Sequence, residues 1–130
     1  MSLLFEDYLQ QLHDLIVACE IVQHFQIIPS QRSDFEGMIR GEIKFLDNSV
    51  LMVREFVDVE LTIDRDMYSY QYMTASNNLI FRYDNTRHHK KLNLPNFPHH
   101  KHEGSQENVI SSNAPNLVDV LQEIENILRR

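Results

Sequence analysis

Apolar residues recur at two different spacings along the chain, and these spacings predict helices at both ends and strands between them. From Phe5 through Leu12 to Cys19 they lie three and four positions apart, with acids and glutamines between them. This pattern predicts an amphipathic helix. A second apolar stripe over residues 117–128 predicts another helix, for which Asn116 is the expected N-cap.

Between the two predicted helices, apolar and polar residues alternate, which is typical of half-buried antiparallel strands. Asp47, Asn48 and Ser49 and the polar run 75–78 are predicted turns. Connections this short favour a meander over parallel crossovers. We expect about five strands, at residues 21–28, 39–45, 50–61, 67–74 and 79–84. Pro29 is expected to end the first of them.

No regular structure is predicted between Asp84 and the last helix. Pro95 and Pro98 interrupt any helix there, and residues 104–114 are polar and expected to be mobile. The predicted fold class is therefore α+β, with an N-terminal helix, an antiparallel meander of about five strands, a histidine-rich loop and a C-terminal helix. A chain of 130 residues is expected to form one domain, residues 1–130.

The distribution of charge draws attention to residues 82–102. The whole chain carries a formal net charge of −7, but this segment has five Lys or Arg residues, one acid and five of the seven histidines. A basic segment on an acidic body predicts a local anion-binding surface.

The cysteine content and the apolar runs indicate the cellular compartment of the protein. The single cysteine, Cys19, cannot form an internal disulfide, which favours a reducing compartment. The N-terminus lacks the basic and apolar regions of a signal peptide, and no apolar run approaches the length of a membrane span. We therefore expect a cytoplasmic protein without a membrane partner.

The histidines are candidates for metal-independent cleavage of RNA. The 2′-hydroxyl of RNA is an internal nucleophile, so an enzyme needs a base, an acid and a cation for the developing charge. Histidine suits both proton roles because its unperturbed pKa is about 6.5. The candidate catalytic residues are His99, His100, His102, His88 and His89.

Substrate binding is assigned to cations and aromatic rings in and beside the same segment. Arginine and lysine can hold phosphate, and tyrosine rings on a strand can stack on unpaired bases. The candidate substrate-binding residues are Arg82, Lys101, Arg54, Tyr83, Tyr70 and Asp84.

Three other interpretations remain open. The histidines can be surface residues and the tyrosine row half-buried sheet packing. His100 and His102, completed by His88 or Asp84, can instead hold zinc or another divalent transition metal, although the primary interpretation needs no cofactor. A carboxylate-metal nuclease using the acids Asp58, Glu60, Asp64 and Asp66 is less favoured, because a solvated turn explains these residues more simply.

At five stretches the chain resembles the toxins of TumE-type toxin–antitoxin modules, a family also described as a domain of unknown function. The resemblance covers residues 41–128. The stretches are REFVD at 54–58, YSYQY at 68–72, FRYDN at 81–85, the pair His88 and His89, and FPHHKH at 97–102, which is the most distinctive.

The resemblance implies a bacterial toxin that attacks RNA or translation and is silenced by a helix-turn-helix antitoxin. We interpret the chain as a toxin that acts on single-stranded or ribosome-associated RNA as a ribonuclease-like enzyme. The alternative is a non-catalytic module that uses residues 82–102 to bind a protein partner or a metal. A homodimer is also compatible with the sequence.

Overall fold

The computed structural model of the chain describes residues 3–130 and has the predicted α+β class. Its elements run in the order of one helix, seven strands and a second helix. The helices are α1 (Phe5–Val17) and α2 (Leu117–Leu128), and the strands are β1 (Val22–Gln31), β2 (Glu36–Phe45), β3 (Val50–Asp58), β4 (Asp64–Met73), β5 (Leu79–Asp84), β6 (His100–Glu103) and β7 (Val109–Ser111).

All seven strands form one antiparallel sheet in which spatial order follows sequence order. Each neighbouring pair is antiparallel, so the predicted meander is confirmed. Within residues 3–130, no helix is both long and apolar enough to cross a membrane.

The sheet has seven strands rather than about five, because β6 and β7 lie in the region predicted to lack regular structure. These strands have four and three residues, and a single turn of 3-10 helix at Lys90–Leu92 precedes them. Both faces of β6 carry polar side chains, so the alternation that predicts a strand is absent. Pairing with β5 stabilises it as a strand instead.

The expectation that Pro29 ends the first strand is wrong, since β1 continues through it to Gln31. Proline lacks the N–H that a central strand donates to its neighbour. β1 is one of the two edge strands of the sheet, and it pairs only with β2. An edge position therefore tolerates Pro29 without the loss of a ladder hydrogen bond.

Both helices pack on the same face of the sheet, which we call the core face. Tyr8 of α1 reaches Glu55 of β3, and Glu123 of α2 reaches Tyr83 of β5. Asn116 is the N-cap of α2, as predicted, and its side chain accepts from the Asp119 N–H. The most enclosed apolar residues of this core include Phe5, Ile16, Ile43, Phe45, Leu51, Val57, Tyr72, Phe81, Val120 and Ile124.

The opposite face of the sheet, which we call the outer face, carries polar residues. It is exposed on β2 and β3, where Arg40, Glu42 and Arg54 reach solvent. On β5 and β6 it is enclosed, since Asp84 and His100 are each 2% exposed. The sheet therefore buries polar side chains on the face that the helices do not cover.

Gly37 provides a test of how closely α1 packs on the sheet. A Cβ built at Gly37 would lie 2.5 Å from two ring atoms of Phe5, whereas one built at Gly41 would lie 3.5 Å from Val53, an ordinary contact. We expect Gly37→Ala to lower the free energy of unfolding by about 1–3 kcal/mol through overpacking. Gly41→Ala is the matched control, and urea unfolding measures both. Equal stability of the two variants would contradict this packing.

Candidate functional site

Four of the predicted site residues lie on the outer face of β5 and β6. The register of these strands pairs Arg82 with His102 and Asp84 with His100. Side chains alternate between the two faces along a strand, so residues two apart point the same way. The pairing therefore brings two imidazoles beside a carboxylate and a guanidinium.

Asp84 lies at the centre of this group. Its Oδ2 accepts a 2.8 Å hydrogen bond from Arg82 Nε, and its Oδ1 accepts from the backbone N–H and the hydroxyl of Thr86, both at 3.0 Å. Burial alone would raise the pKa of Asp84, but the hydrogen bonds from Arg82 and Thr86 and the nearby positive charge lower it below its ordinary value. The carboxylate is therefore held ionised.

The two strand histidines approach the same carboxylate. Nε2 of His100 lies 2.9 Å from Asp84 Oδ1, and Nε2 of His102 lies 3.7 Å from Asp84 Oδ2. The two ring centroids are 5.0 Å apart. Both imidazoles are almost fully enclosed, at 2% and 6% exposure.

His89 completes the group from the loop that follows β5. Its ring centroid lies 4.8 Å from that of His100 and 5.3 Å from that of His102, and it is half-buried. One ring nitrogen from each of the three histidines lies within 4.8 Å of the others. We call His89, His100 and His102 with Asp84 the histidine cluster.

Backbone carbonyls determine the tautomers of the strand histidines. Nδ1 of His100 lies 2.8 Å from the carbonyl oxygen of Pro98, and Nδ1 of His102 lies 2.8 Å from that of Gln106. A carbonyl oxygen only accepts, so each Nδ1 must carry the proton and donate it. In the neutral ring, Nε2 then holds a lone pair that points into the cluster.

Arg82 forms the rim of the cluster. Its Nη1 donates to Gln71 Oε1 at 2.8 Å, while its Nε is bound to Asp84. The side chain is 30% exposed, and within residues 3–130 its Nη2 has no protein acceptor. One donor of a rigid guanidinium is therefore available to an anion from solvent.

The other candidate histidines lie outside the cluster. His88 is exposed. His99 hydrogen-bonds through Nδ1 to the hydroxyl of Tyr68 at 2.8 Å, and the two rings are nearly parallel. Burial lowers the pKa of His99, and the positive charge of Arg65 lowers it further.

The structure also separates Lys101 and Tyr83 from the cluster. Both lie on the core face, where Lys101 Nζ binds Glu123 at 3.0 Å and Tyr83 donates to the same carboxylate at 2.6 Å. Strand alternation explains this separation, because Lys101 lies between His100 and His102 in sequence. Burial alone would lower the pKa of Lys101, but its hydrogen bonds with Glu103, Tyr83 and Glu123 raise it.

Arg54 and Tyr70 have different positions. Arg54 is exposed on the outer face of β3 and pairs with Ser69 of β4, which in turn pairs with Asp84 of β5. Tyr70 is fully buried on the core face. Packing within the sheet therefore explains the tyrosine row, because its members are at most 1% exposed; these are Tyr68, Tyr70 and Tyr72.

A second buried polar group, which the sequence pattern did not predict, surrounds Glu55; we call Glu55, Tyr8, Tyr70 and Arg65 the Glu55 group. This carboxylate is 0% exposed and accepts hydrogen bonds from the hydroxyls of Tyr8 and Tyr70, both at 2.5 Å. Burial and the charge of Glu55 raise the pKa of both phenols above the ordinary value of 10.0. The sequence does contain a signal, because Glu55 interrupts the apolar face of β3 between Val53 and Val57.

Arg65 connects this group to the segment before α2. Its guanidinium donates to the hydroxyl of Tyr70 at 3.0 Å and to the carbonyl oxygens of Ala114 and Pro115 at 2.9 and 2.7 Å. It also lies over the ring of Tyr68, 4.3 Å from the centroid. The Glu55 group thus links α1, the sheet and the start of α2.

The acids considered for a carboxylate-metal nuclease lie near the β3–β4 connection, where Asp58 pairs with Asp64. Among residues 3–130, the histidines of the cluster form the single group of three or more potential metal ligands. The described acids therefore do not form such a group.

A family model described as Toxin TumE matches residues 12–128, nearly the whole chain. The match contains every residue of the histidine cluster and of the Glu55 group except Tyr8. No curated protein and no solved structure matches the chain.

The Glu55 group predicts a large stability effect. Glu55→Ala leaves two buried hydroxyls without their acceptor and removes the charge beside Arg65, so we expect a loss of about 3 kcal/mol in the free energy of unfolding. Glu42→Ala, on the exposed face of the neighbouring strand, should change stability by less than about 0.5 kcal/mol. Urea unfolding of both variants gives the comparison, and similar midpoints would contradict a stabilising role for Glu55.

Proposed function

The chain belongs to the TumE toxin family, and on this premise we propose that it is the toxin of a toxin–antitoxin module and cleaves RNA with its histidine cluster. Its partner is a helix-turn-helix antitoxin that binds and silences it. The observation that carries the proposal is the convergence of three histidines, His89, His100 and His102. Asp84 lies against the two strand histidines, and Arg82 forms the rim.

The proposed base is His102. Its Nδ1–H donates to the carbonyl of Gln106, which leaves Nε2 free to accept a proton. The 2′-hydroxyl of the RNA transfers its proton to this nitrogen as the 2′-oxygen forms a bond to phosphorus. Neutral imidazole is suited to this role near neutral pH.

The proposed acid is His89, the most exposed imidazole of the cluster. As the bond between phosphorus and the 5′-oxygen breaks, the 5′-oxygen takes a proton from His89. The products are a 2′,3′-cyclic phosphate and a 5′-hydroxyl. Since the nucleophile belongs to the RNA, these steps consume no metal-bound water and need no cofactor.

Arg82 and His100 support the reaction in different ways. The free Nη2 of Arg82 donates to a non-bridging oxygen of the phosphate, where negative charge increases in the transition state. His100 is the most enclosed imidazole and lies 2.9 Å from Asp84 Oδ1, so we assign it a positioning role. Asp84 holds Arg82 through the hydrogen bond to Nε.

The charge of the chain favours unpaired RNA as the substrate. A net charge of −7 repels a long duplex, and this repulsion extends over about 8 Å at physiological salt. Attack by a 2′-hydroxyl also requires a flexible linkage that can align with the leaving oxygen. A short single-stranded RNA satisfies both conditions.

Cleavage of a single-stranded RNA by the purified full-length chain in EDTA tests the proposal. We expect EDTA-resistant cleavage, and a fall of about 100-fold or more in His102→Ala and His89→Ala, because each removes one proton-transfer group. His88→Ala is the matched control, because His88 is the exposed neighbour of His89, and it should retain full activity. Growth arrest on expression should follow the same order.

Two results would overturn the proposal. One is cleavage that stops in EDTA and returns with added metal, and the other is unchanged activity in both His102→Ala and His89→Ala. Thermal unfolding and antitoxin binding of each variant separate loss of chemistry from loss of fold.

A further inference from the structure

We propose that the histidine cluster also binds one divalent transition-metal ion of the zinc class, and that this ion switches the RNA-cleaving activity off. The binding part stands independently of the proposed function. The inhibition part rests on the proposed function, because the same imidazole nitrogens would carry out the proton transfers.

The first observation is the separation of the ligand atoms. One nitrogen from each of His89, His100 and His102 lies within 4.8 Å of the others. In a tetrahedral zinc site with bonds of about 2.0–2.1 Å, neighbouring nitrogens lie about 3.4 Å apart. The three nitrogens therefore lie at most about 1.4 Å farther apart than the ligands of a bound ion, so small movements of the side chains would close the site.

The second observation is the orientation of the rings. The three imidazole planes are inclined to one another by 71–77°. Rings that approach one centre from different directions adopt such angles, whereas stacked rings cannot direct their nitrogens at a common ion. Three protein ligands leave the fourth position of a tetrahedral site to water.

The third observation is the hydrogen bonding at the far side of the rings. Nδ1 of His100 donates to the Pro98 carbonyl and Nδ1 of His102 donates to the Gln106 carbonyl. Metal-binding histidines generally donate their second ring N–H to a carbonyl or carboxylate in this way, which fixes the tautomer and directs the lone pair at the metal.

The fourth observation is an unpartnered atom. His100 is only 2% exposed, and within residues 3–130 its Nε2 is buried without a hydrogen-bond partner. It is close to Asp84 Oδ1, but the ring is not aligned for a hydrogen bond to that oxygen. A buried polar atom without a partner is uncommon and calls for an explanation, and a metal ion would supply the missing interaction.

The donor set limits the ion. Imidazole nitrogens suit zinc, cobalt, nickel and copper, whereas magnesium and calcium prefer sites made of oxygen ligands. A bound ion would occupy the lone pair of His102 Nε2, so this nitrogen could no longer accept the proton of a 2′-hydroxyl. It would also hold His89 inside the cluster, away from the leaving oxygen.

Metal titration of the EDTA-stripped full-length chain tests the binding part. Cobalt(II) should bind at one ion per chain and give the intense visible absorption of a tetrahedral site, and zinc should displace it. Calorimetry should show His102→Ala and His89→Ala weakening zinc binding about 100-fold or more. His88→Ala, which removes an exposed histidine next to the cluster, should bind as the unsubstituted chain does.

The absence of saturable binding, or an equal loss of affinity in His88→Ala, would overturn the site. His89→Ala keeps the test valid if a strand variant fails to fold, because His89 lies in a loop. Zinc should also raise the thermal unfolding midpoint of the chain and of His88→Ala, but not that of His89→Ala.

RNA cleavage with and without zinc tests the inhibition. Loss of cleavage at one equivalent of zinc, with recovery in EDTA, supports the switch. Zinc binding without any effect on EDTA-resistant cleavage overturns the switch and leaves the proposed function standing. Cleavage that requires the metal overturns both the switch and the metal-independent mechanism, while the binding site stands.

Discussion

The burial of the Asp84 carboxylate is the constraint on which the outer face of the sheet depends. An ionised carboxylate loses its hydration on burial, and the loss is large unless donors and cations replace the water. Arg82 and Thr86 donate hydrogen bonds to it, and the two strand histidines enclose it. Pairing of β5 with β6 brings those histidines into place, so the register of one strand pair determines the site.

The sheet organises two polar groups on opposite faces. On the core face, Glu55 satisfies the hydroxyls of Tyr8 and Tyr70 and joins α1 to the sheet. On the outer face, Asp84 holds the histidine cluster, to which the loop after β5 contributes His89. The two groups differ in accessibility, since Arg82 and His89 keep the outer one open to solvent while Glu55 is fully enclosed.

The charge of the chain fits this division. An acidic body with its basic residues and histidines concentrated in one segment attracts an anion locally but repels an extended polyanion. The same arrangement of lone pairs, fixed by the Pro98 and Gln106 carbonyls, suits proton transfer and metal binding alike. The two uses exclude each other at one nitrogen, and this exclusion is the basis of the proposed switch.

The sequence by itself determined the class of the fold, the two helices, the first five strands and the segment that holds the site. These features follow from local periodicity and capping, which each stretch expresses without its neighbours. The pair β6 and β7 was not predictable in this way, because β6 is polar on both faces and β7 has only three residues. Pairing with β5 stabilises β6 as a strand. Alternation of side chains along β6 also directs Lys101 towards Glu123, on the face opposite His100 and His102.

Tertiary structure alone decided which histidines meet. His89 rather than His88 joins the cluster, and His99 instead contacts Tyr68. Neighbouring histidines are equivalent in composition and in charge, so no local pattern separates them. Only the path of the loop over the sheet and the need to surround one buried carboxylate make them different.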